Sequence, residues 1–185
     1  MQVTTTEIEG VRLIVTRRFE DERGFFSEVF SEVTFPKAGI DFLPVQDNHV
    51  LSRLPYTLRG IHYQLPPFAQ SKLVRVVRGA ALDVVVDLRR GSPTFARFFT
   101  ATLTAENWTQ VLVPPGCGHA TLSLAPDTEF IYKVTAPYSP AHERGVRFDD
   151  PQFSIPWGVD PARFTISERD RALPLLRHQP DLPSQ

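Results

Sequence analysis

Short stretches of alternating apolar and polar residues, separated by turn residues at intervals of roughly ten positions, are the feature that most limits how this chain can fold. In the stretch 80–88, the even-numbered positions from 82 to 88 share one face of an extended strand, and the odd-numbered positions share the other. Between these stretches there is no helical pattern of the length that a parallel α/β sheet requires. The 14 Phe and 17 Pro also favour strands and turns. The pattern predicts an all-β sandwich or barrel with short peripheral helices.

The remaining elements follow from the same pattern. Helical turns are predicted within 25–35 and within 164–176, and a hairpin is predicted from strands near 121–125 and 129–135 around Pro126-Asp127. The chain is predicted to be loop-like from Pro137 onward, and residues 176–185 are predicted to be a loose tail. With no repeat or linker in view, 1–185 is predicted to be a single domain.

Charge and cysteine content narrow the possible partners and compartments. The formal net charge is −1 and the basic residues are dispersed, so neither nucleic acid nor a membrane surface is an expected partner. Cys117 is the only cysteine, which favours a reducing compartment. The N-terminus lacks the pattern of a signal peptide, and no apolar run is long enough to span a bilayer. A cytoplasmic protein is expected.

Polar side chains concentrate on strands predicted near 59–64 and 72–78. On the first strand, alternation places Arg59 with Ile61 and Tyr63 on one face and His62 on the other. The segment 113–122 contains a Gly/Pro turn that leads to His119 and into a further strand. Two histidines on paired strands predict a barrel with a polar pocket at its mouth.

The spacing Pro114-x-Gly116-x-x-His119 resembles the second half of the cupin signature, which belongs to a jelly-roll fold. The first half of that signature supplies two further histidines, one residue apart, and a glutamate to a metal. Here the corresponding positions read His62-Tyr63-Gln64, and no Glu or Asp lies between positions 64 and 82. Two imidazoles without an anionic partner are a poor site for a divalent ion. No metal and no cofactor are therefore predicted. Together with Lys72 and Arg59, the two histidines suit an organic anion or a developing oxyanion.

Ten segments, in order, give the chain a more specific likeness. They are Arg23-Gly-Phe-Phe-Ser-Glu28, Gln46-Asp-Asn48, Leu58-Arg-Gly-Ile-His-Tyr-Gln64, Lys72-Leu-Val-Arg-Val76, Ala105-Glu-Asn107, Pro114-Pro-Gly-x-x-His119, Glu129-Phe-Ile-Tyr-Lys133, His142-Glu-Arg-Gly145, Asp149-Asp-Pro151 and Ser167-Glu-Arg-Asp170. From about residue 8 to 176 the chain resembles the dTDP-4-dehydrorhamnose 3,5-epimerase family, metal-free cupins of deoxysugar-nucleotide biosynthesis.

The resemblance implies cofactor-independent epimerisation at C3 and C5 of dTDP-4-keto-6-deoxyglucose through an enolate. It implies that His62 is the base, that Asp170 completes a His–Asp dyad, and that Tyr132 is the acid on the opposite face of the sugar. It implies that Lys72, assisted by His119, stabilises the enolate oxygen at C4. Because Phe130 and Tyr132 alternate together along one strand, Tyr132 is expected to point into the barrel.

The resemblance also implies a substrate-binding set and a homodimer with an exchanged N-terminal strand. Arg23 and Glu28 would then serve the neighbouring subunit's site. The implied binding set comprises Arg23, Arg59 and Arg169 for the diphosphate, Tyr138 for stacking on thymine, Glu28, Gln46, Asn48 and Glu143 for base, ribose or sugar, and His119 beside Lys72. Arg169 replaces a usual lysine, and 114–124 departs from the family's bulkier pattern, so the exact sugar stays open.

Three alternatives remain at this point. An epimerase of only C3 or only C5 would introduce solvent hydrogen at one carbon. A non-catalytic sugar-nucleotide-binding cupin would exchange none. A metal-dependent cupin oxygenase or isomerase would be sensitive to a chelator.

Overall fold

A computed structural model describes residues 1–184. The strands are β1 (Gln2–Thr5), β2 (Arg12–Val15), β3 (Phe19–Asp21), β4 (Gly24–Phe26), β5 (Gln46–Ser52), β6 (Leu58–Gln64), β7 (Lys72–Arg78), β8 (Ala80–Asp87), β9 (Phe98–Thr104), β10 (Thr109–Val113), β11 (Cys117–Ser123), β12 (Thr128–Val134) and β13 (Glu143–Gly145). The two α-helices, α1 (Thr34–Lys37) and α2 (Glu168–Arg171), are single turns, and 3-10 turns cover Pro161–Arg163 and Leu176–His178. Over the described residues, no helix has the length and apolarity to traverse a bilayer.

Two antiparallel sheets contain all the strands except the β3–β4 hairpin. The six-stranded sheet has the order β1-β2-β10-β7-β12-β5, and the five-stranded sheet has the order β13-β6-β11-β8-β9. Apolar side chains from both sheets, including Val76, Val85 and Phe130, are buried together between them. The predicted all-β architecture is confirmed, and the two helices are short and peripheral.

Irregular segments cover the outer faces of both sheets. Phe148, Trp157 and Phe164 pack on the outward-facing side chains of β8, which are Val84 and Val86. On the six-stranded sheet, the segment around α1 buries Phe35, Ile40 and Phe42 against β2, β7 and β10. Both faces of β8 are therefore buried. Its odd-numbered side chains lie between the two sheets, and its even-numbered side chains lie beneath the C-terminal segment.

The predicted hairpin around Pro126-Asp127 is wrong. Strand β11 pairs with β6 and β8, whereas β12 pairs with β5 and β7 in the other sheet. Because β11 already pairs with a strand on each side, β12 cannot pair with it. The turn at Pro126-Asp127 instead carries the chain from the five-stranded sheet to the six-stranded sheet.

The C-terminal segment also differs from the predicted loose tail. Within 176–184, the Gln179 amide donates to the Gly145 carbonyl, and Arg144 pairs with Asp181 at 2.7 Å. The Tyr63 hydroxyl donates to the carbonyl of Asp181. These contacts hold the segment against β6 and β13, while the last predicted tail residue, Gln185, lies outside the described residues.

Candidate active site

A β-bulge in β6 decides which side chains of this strand reach the site. His62 pairs with His119 of β11, and Arg59 pairs with Thr121, so three residue steps on β6 oppose two on β11. The extra residue shifts the alternation by one position. Arg59 and His62 consequently line the same cavity, while Ile61 is in the core. The prediction that Arg59 and His62 lie on opposite faces is wrong for this reason.

Glycine is required at the bulge. Gly60 has φ +113°, and a Cβ there would lie 2.5 Å from the His119 carbonyl oxygen and 2.8 Å from the Cβ of Ala120. Both the dihedral angle and the close approach of β11 exclude a side chain at this position without backbone movement.

A cavity of about 560 Å³ opens between the two sheets and is lined by many polar side chains. Seven of the predicted site residues line it, namely Arg59, His62, Lys72, His119, Tyr132, Arg169 and Asp170. A second cavity of about 250 Å³ shares His62, Lys72 and Tyr132 with the first. Four more predicted residues line this second cavity, namely Gln46, Asn48, Tyr138 and Glu143. Eleven of the thirteen predicted side chains therefore meet in one two-lobed site.

Arg23 and Glu28 do not reach this site. Arg23, with a side chain 85% exposed, pairs with Asp21 in the β3–β4 hairpin. Glu28 is exposed and accepts a hydrogen bond from the Thr34 hydroxyl. Within one chain, neither side chain lines the two-lobed cavity.

His62 forms a dyad with a buried carboxylate. His62 Nε2 lies 2.7 Å from Asp170 Oδ1, and the backbone N–H of Gly60 donates to Asp170 Oδ2. Burial raises the pKa of Asp170, but the hydrogen bond and charge of His62 and the N–H of Gly60 outweigh it, so the pKa lies below its ordinary value. An ionised carboxylate only accepts hydrogen bonds, so the proton is on His62 Nε2 and Nδ1 is free to act as a base.

The α2 helix turn holds the dyad in place. The Ser167 side chain caps α2 by accepting from the backbone N–H of Asp170. This contact fixes the start of the turn that carries Asp170, which lies 108 positions from His62 in the sequence but contacts His62 and Gly60 of β6. A separation of this size is bridged only by the tertiary fold.

Tyr132 lies on the opposite wall of the cavity. His62 belongs to the five-stranded sheet and Tyr132 to the six-stranded sheet, and both line the same two lobes. The prediction that Phe130 and Tyr132 share an inward face is confirmed. Burial raises the pKa of Tyr132, which the charge of Arg59 partly offsets, so the phenol is neutral near pH 7 and can donate a proton.

Lys72 extends into the cavity from β7, the neighbour of β12 in the six-stranded sheet. Burial lowers the pKa of its ammonium to about 8, and the negative charges of Glu143 and Asp83 partly oppose this shift. Near neutrality Lys72 is still mostly protonated, with its charge in a site of reduced dielectric.

Glu143 connects the second lobe to α2. Its carboxylate accepts a hydrogen bond from the Tyr138 hydroxyl at 2.7 Å and one from the Arg169 guanidinium. Burial alone would raise the pKa of Glu143, but these two donors lower it below its ordinary value. The backbone N–H of Tyr138 also donates to the Gln46 side chain, which ties the predicted nucleotide-contacting residues into one network.

Asp83 is a site residue that sequence reasoning missed. His119 Nε2 lies 2.8 Å from Asp83 Oδ2, and Asp83 is buried. The available signal was an acid on the inward-facing odd positions of 80–88, flanked by Leu82 and Val84. An ionisable side chain at such a position requires a partner, which the sequence alone did not identify.

Gln64, at the position of the missing cupin histidine, has a structural role. Its amide donates to the carbonyls of Phe68 and Pro137 and accepts from the backbone N–H of Ser139. Among residues 1–184, no three His, Cys, Asp or Glu side chains converge in a group suited to a metal ion.

Two sheets that face each other across a polar cavity define a cupin-like β-sandwich, and paired titratable groups in that cavity are typical of an acid–base enzyme. A model of the dTDP-4-dehydrorhamnose 3,5-epimerase family matches residues 5–178. The chain belongs to this family, and it is an epimerase of the isomerase class.

Individual relatives agree with this assignment. The dTDP-4-dehydrorhamnose 3,5-epimerase of Sinorhizobium fredii is 47% identical over 97% of this chain and 92% of its own length. The crystal structure of the Bacillus anthracis enzyme, with TDP and PPi bound, has a TM-score of 0.90 at 41% identity and covers 94% of this chain and 98% of its own. The Legionella pneumophila enzyme, in complex with dTDP-4-keto-L-rhamnose, has a TM-score of 0.93 at 36% identity and covers 100% and 98%.

Proposed function

We propose that this chain epimerises C3 and C5 of dTDP-4-keto-6-deoxyglucose, with no metal or cofactor, and feeds dTDP-L-rhamnose or a related deoxysugar pathway. The observation that carries the proposal is the placement of His62 and Tyr132 on opposite sheets around one cavity. Inversion at carbon requires a proton to leave one face of the ring and to return on the other. A base and an acid on facing walls meet that requirement.

The first step is proton removal next to the ketone. His62 Nδ1 takes the C–H proton while the bond electrons move onto the C4 oxygen, giving an enolate and an imidazolium. The ionised Asp170 stabilises the imidazolium through Nε2–H. The ammonium of Lys72 stabilises the negative charge on the C4 oxygen, and His119 lines the cavity beside it.

The second step returns a proton from the other face. The Tyr132 hydroxyl donates to the carbon, the C4 ketone re-forms, and a phenolate is left on β12. Arg59 faces the same cavity and lowers the free energy of that phenolate by its charge. Exchange with solvent then restores Tyr132 and His62 before the second centre is inverted.

Substrate binding is proposed to use the remaining groups of the two lobes. Arg59 and Arg169 supply planar guanidinium groups that match diphosphate oxygens. Arg169 is paired with Glu143 in the free chain, so binding would exchange a carboxylate partner for a phosphate. Tyr138, a residue 51% exposed, offers a stacking surface to the base beside Gln46 and Asn48.

Incubation of the 4-keto sugar nucleotide with the protein in D₂O is expected to place one deuterium at C3 and one at C5, with both centres inverted. NMR of the product measures this directly, and an excess of chelator is expected to leave the rate unchanged. Each inverted carbon receives its new hydrogen from a group that exchanges with solvent.

The other outcomes of this experiment separate the alternatives. Label and inversion at a single carbon would make the protein a mono-epimerase. Binding of dTDP without exchange would make it a non-catalytic cupin. Loss of turnover on metal removal would favour a metal-dependent enzyme.

We also propose that the active form is a homodimer in which the β3–β4 hairpin reaches the neighbouring subunit. Strand β1 pairs with β2 of its own chain, which leaves the hairpin as the N-terminal element outside both large sheets. Its Phe19, Phe25 and Phe26 are 51%, 53% and 69% exposed, an unusual apolar surface for an isolated subunit. A partner that covers these rings would receive Arg23 and Glu28 from the same segment.

Mixing two inactive variants is expected to restore activity. In a mixed dimer of His62→Ala and Arg23→Ala chains, the Arg23→Ala subunit keeps His62 and receives an intact Arg23 from its neighbour. With random pairing, half of the dimers are mixed and each has one complete site, so about a quarter of the wild-type activity should return. The measurement is the epimerisation rate of co-refolded chains.

The matched control is a mixture of His62→Ala with Asp170→Asn, since both groups belong to one subunit's dyad. That pair should stay inactive, because each subunit of a mixed dimer lacks one member of its own dyad. The absence of recovery in both mixtures, with mixed dimers verified by an affinity tag on one variant, would place Arg23 outside the partner's site.

A further inference from the structure

Asp83 combines deep burial with incomplete hydrogen bonding. Its side chain is 1% exposed, and Oδ1 is the buried side-chain polar atom that has no hydrogen-bond partner within residues 1–184. Burying a carboxylate oxygen without a partner costs folding free energy. A hydrophobic residue would pack at this position without that cost, so packing alone does not account for an acid here.

The surroundings of Asp83 indicate what the acid does. It lies on the inward face of β8, behind His119 of β11, with His119 Nε2 at 2.8 Å from Oδ2. His119 and Lys72 both line the large cavity, and the charge of Asp83 acts on the Lys72 ammonium. His119 is also the cross-strand partner of His62, so two His–Asp pairs stand side by side at the cavity wall.

We propose that Asp83 is a positioning residue of this epimerase, holding the His119 ring by accepting from Nε2–H and supplying a buried negative charge behind the cavity that Lys72 and His119 line. This inference rests on the proposed function, in which Lys72 and His119 face the C4 oxygen. The orientation of His119 and the charge on Lys72 both act at the C4 oxygen of the substrate. A fixed Nε2–H leaves Nδ1 as the ring nitrogen available to substrate, and a charged Lys72 stabilises the enolate.

The titratable and charged side chains around Lys72 belong to six elements besides its own strand, β7. They are Arg59 and His62 on β6, Asp83 on β8, His119 on β11, Tyr132 on β12, Glu143 on β13, and Arg169 and Asp170 on α2. Of these, Glu143 and Asp83 are the carboxylates that act directly on Lys72. Glu143 is already engaged by Arg169 and Tyr138, whereas Oδ1 of Asp83 has no hydrogen-bond partner in the described part of the chain.

The test is the pH profile of Asp83→Asn, which keeps the size and can still accept from Nε2–H but removes the charge. Activity that requires the Lys72 ammonium is lost as the pH rises through its pKa, which burial lowers to about 8. Removal of a neighbouring negative charge lowers that pKa further, so the basic limb of kcat should move to lower pH, by about one unit. The fall in kcat at the optimum is expected to be about 10- to 100-fold, as for other residues that orient a functional histidine.

Asp87→Asn is the matched control. Asp87 is buried on the same strand and the same face, but its carboxylate accepts from Arg89, Ser92 and Thr94, away from the cavity. This variant should lose thermal stability and keep the wild-type basic limb. An Asp83→Asn profile with an unshifted basic limb would overturn the proposal, because a purely structural role affects only stability and amplitude.

A measurement on the wild-type protein decides the matter if Asp83→Asn does not fold. In ¹⁵N-labelled protein, the His119 ring, assigned by its loss in His119→Gln, should show a protonated Nε2. An unprotonated Nε2 at neutral pH would overturn the proposal, since Asp83 would then be the donor. The tautomer is read without turnover, so a failure of the proposed activity would not be mistaken for a failure of this inference.

Discussion

Replacement of His62 by alanine is expected to lower kcat by about 10²- to 10⁴-fold, the usual effect of losing a general base. His62 Nδ1 is the nitrogen that the Asp170 hydrogen bond leaves free at the cavity wall. Without it, the base that the His62–Asp170 dyad supplies on the five-stranded side is lost. Deuterium uptake at C3 and C5, followed by NMR, should therefore fall together with inversion.

His49→Ala provides the matched control. His49 pairs with Glu129 at the surface, and its side chain is 58% exposed. The rate of this variant should stay near that of the wild type. A His62→Ala protein that still inverts both centres at an undiminished rate would contradict the assignment of the base.

Replacement of Tyr132 by phenylalanine is expected to separate exchange from inversion. His62 can still remove a proton and return a solvent deuteron from its own face, so label should enter the starting material with its configuration retained. Return from the opposite face loses its acid, and the rate of inversion should fall by about 10²- to 10⁴-fold. Exchange and inversion are followed in one NMR time course.

Tyr56→Phe is a suitable control for this variant. Tyr56 packs at the edge of the outer core, where the Arg163 guanidinium lies 4.6 Å from its ring centre, and it does not line the two lobes. Its substitution should change neither rate. Equal, undiminished exchange and inversion in Tyr132→Phe would place the acid elsewhere.

Much of the site could be predicted because strand alternation and short sequence motifs identify its residues. The alternation around Tyr132 identified its inward direction, and the structure confirms that Phe130 shares it. The segment Ser167-Glu-Arg-Asp170 resembled the family's, and the structure places Asp170 at the His62 ring. In each case the information is carried by a few consecutive residues.

The errors have a common physical origin in pairing between distant segments. The face of Arg59 depended on a bulge that exists only because β11 runs beside Gly60. The false hairpin at Pro126-Asp127 came from neighbouring strands that the sandwich assigns to different sheets. Asp83 stood out in the sequence as an acid in an apolar strand, but its partner His119 is 36 residues away.

The sequence by itself determined the all-β class, the positions of most strands and most of the side chains that meet in the site, since side-chain alternation and short motifs are properties of neighbouring residues. Only the tertiary structure decided which strands pair, that His62 and Tyr132 lie on opposite walls of one cavity, and that Asp83 stands behind His119. These features depend on contacts between residues far apart in the chain, where packing of whole sheets, and not local preference, has the larger free energy.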